Sequence, residues 1–386
     1  MTREARRSFA IGGFEIGNVS RTDQIDQHDF FRDRLTSTSD AGTIVPEHYQ
    51  SIAVKMSYRN LANYLLATLL GAILMSGVAM ADPNPLASGR PLGPTRVALT
   101  IDDLPAGSAF PSAAKRREAM REILAVLKAN GVTGVYGFSN GHFIENDPEE
   151  KSILRMWLAA KNRLGNHTYH HLDLNKVGTA AFIDDIAKED ALLATLDTAP
   201  EAFERRRVFR YPYLSEGDTL QKREAVRKYL SDNRYRIAEV TTDYFDWAWD
   251  AAFDRCTAQH GEKSIEWLKS HIADSADRQL REANLVSEHL FHSRICQIVL
   301  VHFNTITSQT LGAILKHWKE EGVQFVTLDK ALAERIYRLD PKYAYPGGRS
   351  FLGQIAESLG IDLSVYGKPR YSTASLSEVC KPLAGK

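Results

Sequence analysis

The sequence predicts an α/β fold: a distorted (β/α)7-type barrel of mostly parallel strands, with a helical insertion before the last strands. Three observations predict it. Strand-like and helix-like segments alternate from residue 96 onward with few breaks, and about seven such strands can be counted. The residues able to do chemistry fall at the C-terminal ends of those strands, where barrel enzymes place their sites. No glycine-rich phosphate loop follows the first strand, as a doubly wound nucleotide-binding sheet would have.

Each element follows from local pattern. Arg96–Ile101 reads as a short buried strand, and Ala114–Ala129 carries apolar residues at helical spacing before the helix stop Asn130-Gly131. Val132–Phe138 is the second strand, followed by a helix over Glu149–Lys161 and a strand near Leu164. Helix Ala180–Leu196, strand Val208–Tyr211, helix Thr219–Asp232 and strand Tyr235–Thr241 continue the rhythm. Strand Ile298–Phe303, helix Ser308–Glu321 and strand Val323–Thr327 complete it. Between Trp249 and Phe291 lies a long, mostly helical insertion, assigned as 250–292. The barrel with its insertion is placed at 96–335, and an irregular C-terminal extension at 336–386 carries a YAYPGG stretch predicted to pack over one mouth.

The chain ahead of the barrel reads as processing signal rather than fold. Residues 61–81 are a long uncharged apolar run, preceded by Lys55 and Arg59 and ended by Ala79-Met80-Ala81. That order of basic, apolar and small residues predicts a signal peptide over 56–81 cleaved after Ala81, with a membrane anchor as the alternative. Residues 1–55 are then a non-native upstream or disordered extension ahead of a start at Met56, and 82–95 are a Pro/Gly-rich linker. The protein is expected to be exported, to the periplasm first of all, and to meet a membrane only if the anchor stays uncleaved.

Composition narrows the partners. Among 386 residues, 44% apolar and 25% charged, Lys+Arg and Asp+Glu balance at 48 each, so no long-range field recruits nucleic acid. The three cysteines, Cys256, Cys296 and Cys380, are too few for a disulfide scaffold. One bridge at most can form; Cys256 with Cys296 is one pairing, and buried inert thiols are the alternative.

Two neighbouring carboxylates, Asp102 and Asp103, end the first strand, and as anions they repel unless a cation or hydrogen bonds hold them. Taken alone the pair reads equally well as a turn. His167 and His171, in GNHTYHH, are four apart, so on one helical turn their imidazoles would face the same way. Two imidazoles and a carboxylate leave coordination positions open for water and substrate, as catalytic rather than structural sites do. Arg210 is expected to reach across the mouth to a carboxylate. Trp247, beside the acids of DYFDW, has the form of a sugar-stacking indole, and His302 ends the apolar strand Ile298–Phe303.

In chain order, TIDDLP, HTYHH, RYPY, DYFDW and LVH resemble the five motifs of the NodB-type polysaccharide deacetylases, carbohydrate esterase family four. The resemblance covers about residues 97–335. It implies Asp102 as general base, Asp103, His167 and His171 as metal ligands, and Arg210 as the residue orienting the base. It also implies the Tyr213 backbone N–H as oxyanion donor, an acid at Asp243, a groove wall at Trp247, an apolar methyl contact at Leu300 and a general acid at His302. The implied substrate is an acetylated amino-sugar polymer of the peptidoglycan or chitin type. The implied cofactor is a divalent metal, zinc by availability, with cobalt or another divalent ion as alternatives. Other outcomes are an O-acetyl esterase, a small-amide hydrolase or a non-catalytic carbohydrate-binding protein. Two departures, Ile101 with Leu104-Pro105 around the acids and the length of the insertion, bear on the substrate groove; the insertion is expected to form a lid or wall.

Overall fold

The computed structural model describes residues 93–105, 110, 112–145, 147–198, 202–366 and 370–381. The extension 1–55, the signal segment 56–81 and most of the linker 82–95 lie outside the described residues. No helix among those described is long and apolar enough to cross a membrane.

Eight strands, all parallel where paired, form one curled sheet: β1 (Arg96–Leu104), β2 (Tyr136–Ser139), β3 (Arg163–Asn166), β4 (Val208–Phe209), β5 (Arg236–Ile237), β6 (Thr242–Asp243), β7 (Gln297–His302) and β8 (Gln324–Phe325). Their order is β5-β4-β3-β2-β1-β7-β6, with β8 on the N-terminal end of β1. Helices α1 (Ala113–Asn130), α2 (Pro148–Ala159), α3 (Thr179–Leu196), α4 (Ala202–Arg206), α5 (Leu220–Asp232), α6 (Asp246–Ala258), α7 (Glu262–Phe291), α8 (Thr305–Glu320) and α9 (Leu328–Leu332) fill the connections. Two more, α10 (Phe351–Ser358) and α11 (Thr373–Ser377), follow in the C-terminal extension.

Because both faces of β1 are covered, it reads as a nearly unbroken apolar run. Val97, Leu99 and Ile101 join the larger core cluster with Ile123 of α1 and Ile314 and Trp318 of α8. Ala98 turns the other way, into the interior cluster with Tyr136, Phe138 and Ile298. Thr100 and Asp102 share that interior face by the two-residue period of a strand. Helix boundaries follow their caps. Ser112 accepts the Lys115 N–H to start α1, Gly131 at φ 71 ends it, and Asn304 accepts the Thr307 N–H to start α8.

The expected strand Tyr235–Thr241 is in fact two short strands on opposite edges of the sheet, β5 beside β4 and β6 beside β7. The residues between them cross the gap. Ala238 N–H bonds to Phe209 O at 2.7 Å on one side, and Thr241 N–H to Ile298 O at 3.0 Å on the other. Hydrogen-bond partners change along this segment, so its apolar run does not form one strand. The crossing gives the curled sheet its barrel character and places β4 and β7 on facing walls.

The helical insertion is part of the core, not a lid. Trp249 and Phe253 of α6 and Leu268, Ile272, Ala276 and Leu280 of α7 are buried in the same cluster as β1 and α8. Spacings of four residues along α7 line these groups on one stripe, which is why the helix lies flat against the barrel. Helix α6 is further bridged by a Cys256–Cys380 disulfide to the end of the chain. This corrects the expected Cys256–Cys296 pairing: Cys296 precedes β7, buried, with its thiol pushed up to about 12 chiefly by burial. The bridge closes a loop of 124 residues in sequence separation. Cys380→Ser is therefore expected to lower stability by about 2–4 kcal/mol, read as a fall in the chemical unfolding midpoint. An unchanged midpoint would show the tail is held by packing alone.

Candidate metal and catalytic site

The site is assembled where β1 breaks its own pattern. Ile101 pairs with Gly137 but Leu104 pairs with Ser139, so three residues of β1 advance against two of β2. This bulge, with Asp103 at φ 64, re-aims the second carboxylate, which a regular strand would send to the opposite face from Asp102. Both acids therefore serve one mouth.

His167 and His171 reach Asp103 from the loop after β3. Contrary to expectation, they do not share a helical turn: Thr168 (φ 59) and His171 (φ 55) are left-handed. Asn140 holds the loop by donating to the carbonyls of His167 and Thr168 at 2.8 and 3.0 Å. The third histidine, His170, is tied to Asp185 by its ring and its backbone N–H, so it points away as a spare.

The donor set fits a cation. Asp103 Oδ1 lies 3.6 Å from His167 Nε2 and 3.3 Å from His171 Nε2, and one ligand atom from each residue falls within 4.8 Å of the others. Burial lowers the pKa of both imidazoles, well below the usual value for His167, so both are neutral. His167 Nδ1 lies 2.8 Å from the Arg210 carbonyl, which can only accept, so the proton sits on Nδ1 and the Nε2 lone pair faces the acids. Asp103 Oδ1 is buried and has no hydrogen-bond partner among the described residues. A buried anionic oxygen without a donor costs free energy that a divalent ion bound by these three groups would recover.

Asp102 is held differently. Arg210, after β4, reaches across to place Nη1 at 3.1 Å from both of its carboxylate oxygens, while Nη2 donates to Thr100 and Nε to the Ala238 carbonyl. The pair is almost wholly buried. Burial pushes the Asp102 carboxyl up to about 6, against the opposing pull of Arg210 and His302. That is a base poised to take a proton near neutrality.

On the facing wall His302 pairs in register with Asp102 across β7 and β1. The carboxylate that touches it is Asp246, not Asp243. Asp246, the first residue of α6 and fully buried, accepts from His302 Nδ1 and the His302 N–H, both at 2.7 Å, and from Asn304 and Thr307. Burial alone would push the His302 imidazole down, but Asp246 outweighs it and holds it up at about 10. Asp243 instead accepts the Phe245 N–H at 2.7 Å at the turn into α6, its carboxyl pushed up to about 6 by burial. Sequence reading passed over Asp246; the signal was its place at a helix start, where a carboxylate is favoured.

The rim carries the remaining groups. Leu300, 3% exposed, lies two residues before His302 on the same face of β7. Trp247 is 39% and Tyr213 46% exposed, and the Tyr213 ring stands edge-on to His171 at 4.5 Å. In the turn after β4, Leu214 N–H donates to Tyr211 O and Ser215 N–H to Pro212 O, while the Tyr213 N–H has no acceptor among the described residues. An unpaired donor there is free for a ligand.

Residues 89–236 match the family described as polysaccharide deacetylase. Over these residues the chain belongs to that family. The matched stretch of the deacetylase domain holds both acids, His167, His171, Arg210 and Tyr213, while Asp246 and His302 lie beyond it. A chitin deacetylase of Arthroderma benhamiae is 28% identical over 133 residues, 34% of this chain and 32% of that protein, so the match spans about a third of the relative's length. Among solved structures, the chitin deacetylase of Colletotrichum lindemuthianum is similar with a TM-score of 0.44 and 21% identity, covering 62% of this chain and 88% of that one. A CE4-family pseudoenzyme of Bacillus anthracis is similar with a TM-score of 0.43 and 19% identity, covering 63% and 67%.

Proposed function

We propose that the protein is a metal-dependent hydrolase that removes N-acetyl groups from an acetylated amino-sugar polymer of the chitin or peptidoglycan type. The observation that carries this reading is the pairing, across one mouth, of an Arg210-held Asp102 with an Asp246-held His302, beside the Asp103, His167 and His171 donor set. Two titratable groups pushed apart by their surroundings divide the work of base and acid.

A divalent ion bound by Asp103, His167 and His171 would polarise the acetyl carbonyl and acidify the attacking water. Asp102 takes the proton from that water, and Arg210 keeps the carboxylate ionised and oriented. The Tyr213 N–H donates to the oxyanion as the carbonyl carbon becomes tetrahedral. His302, protonated at neutral pH, gives its proton to the departing amine. Leu300 walls the place of the acetyl methyl, and Trp247 offers an exposed ring for a sugar face. The Cys256–Cys380 bridge supports an oxidising, exported compartment, since such bonds persist there.

The test is acetate release from acetylated chitooligosaccharide, peptidoglycan and xylan, with and without chelator. Release from the first or second, abolished by chelation and restored by zinc or cobalt, is expected. Metal binding without release from any of the three would leave a carbohydrate-binding protein; release from xylan alone would mark an O-acetyl esterase.

The same division of labour sets the pH response. Asp102 must be ionised and His302 protonated, so kcat/KM is lost as pH falls through about 6, or lower once a cation stabilises the carboxylate, and as it rises through about 10. Asp246→Asn removes the charge that raises His302. Its basic limb is expected to move down toward the ordinary histidine range near 6.5, so that activity at about pH 9 is lost. A basic limb that stays in place would remove His302 from the acid role.

A further inference from the structure

The chain beyond the family match returns over the turn that presents Tyr213. Tyr213 (φ 57) and Leu214 (φ 53) are two consecutive non-glycine residues in the left-handed region, a conformation that persists only where the surroundings over-determine it. Part of that constraint comes from residues 345–354 of the C-terminal extension. Arg349 N–H donates to Leu214 O at 3.3 Å, and Tyr345 N–H to Gly217 O at 3.2 Å. Gln354 Nε2 donates to the buried Glu216 carboxylate at 2.6 Å. Gly348 lies against the turn so closely that a Cβ there would overlap the Tyr213 carbonyl oxygen, a backbone atom that cannot swing aside. The strap is in turn fastened by Phe351 N–H to Val240 O at 2.7 Å, on the segment that crosses between β5 and β6.

We infer that the 345–354 strap is a positioning element for catalysis: it holds the Tyr213 turn in the conformation that leaves the Tyr213 N–H unpaired at the mouth, beside His171. The inference rests on the reading of that N–H as the oxyanion donor. It gives the C-terminal extension a role in turnover although none of its residues is placed in contact with the acetyl group. Gly348 is required because only a residue without a side chain lets the strap approach the turn.

The experiment compares full-length Gly348→Ala with Gly347→Ala, whose added Cβ would meet the Tyr345 ring of the strap itself rather than the turn. Gly348→Ala is expected to lower kcat on acetylated chitooligosaccharide by about 10²-fold, the loss typical of a misplaced catalytic group, with KM and bound metal little changed. Amide hydrogen exchange across residues 211–217 should quicken in Gly348→Ala and not in Gly347→Ala. Wild-type kcat together with wild-type exchange in a folded Gly348→Ala would overturn the inference. Should that variant fail to fold, Gln354→Leu loosens the strap at its Glu216 contact, and a smaller fall in kcat with faster exchange is expected; no change in either overturns it. If the wild-type protein releases no acetate, the deacetylase reading fails by itself, and the exchange comparison still decides whether the strap holds the turn.

Discussion

Asp102→Asn is expected to lower kcat by about 10²–10⁴-fold while leaving the bound metal in place. The substitution keeps the shape of the side chain and an oxygen for Arg210, so the fold around the buried pair survives. It removes the proton acceptor. The donor set for the cation is on other residues, Asp103, His167 and His171, so metal stoichiometry should match wild type. The contrast with Asp103→Ala or His167→Ala is the informative part, because those variants should lose metal and activity together. The measurement is kcat with metal content determined on the same preparations. Near-wild-type kcat in Asp102→Asn would transfer the base role to another group, and Asp243, also raised to about 6, would be the next to test.

Arg210→Leu is expected to destabilise the fold by about 3–5 kcal/mol, the loss found when one partner of a buried ion pair is removed. Arg210 is 1% exposed and makes four hydrogen bonds, two to Asp102, one to Thr100 and one to the Ala238 carbonyl. Removing it leaves the Asp102 charge buried without its guanidinium and unties the segment that crosses between the sheet edges. The double variant Asp102→Asn, Arg210→Leu separates the two contributions, since deleting both charges spares the uncompensated carboxylate. Urea unfolding at neutral pH reads both. The double variant should recover part of the loss, and a double variant as unstable as the sum of the singles would show that Arg210 acts through Ala238 and packing rather than through Asp102.

Much of the site was legible because each motif pairs a local backbone signal with a chemical one. A strand end followed by two acids, a histidine pair and an arginine on the next strand end are visible without any contact information. Asp246 was harder, although it stands three residues from Asp243 in the same motif. Either acid could serve on chemistry alone, and the choice falls to the α6 start, which carries Asp246 to the Nδ1 of His302 and leaves Asp243 at the turn. The His167/His171 spacing was read correctly as a pair and wrongly as a helix, because i,i+4 spacing is also met by a loop with two left-handed residues. Cys256 and Cys380 are 124 residues apart, and no local pattern connects them.

The sequence alone therefore determined the parallel α/β rhythm, the family resemblance and the inventory of acids, imidazoles and guanidinium, since period-two and helical patterns and strand-end residues are local properties. Tertiary structure alone decided which carboxylate meets which imidazole, that the insertion packs as core rather than lid, and that the C-terminal extension clasps the Tyr213 turn. Those outcomes depend on a β1 bulge, on a segment crossing between sheet edges and on one glycine's clearance. Each is a matter of a few ångströms between residues far apart in the chain.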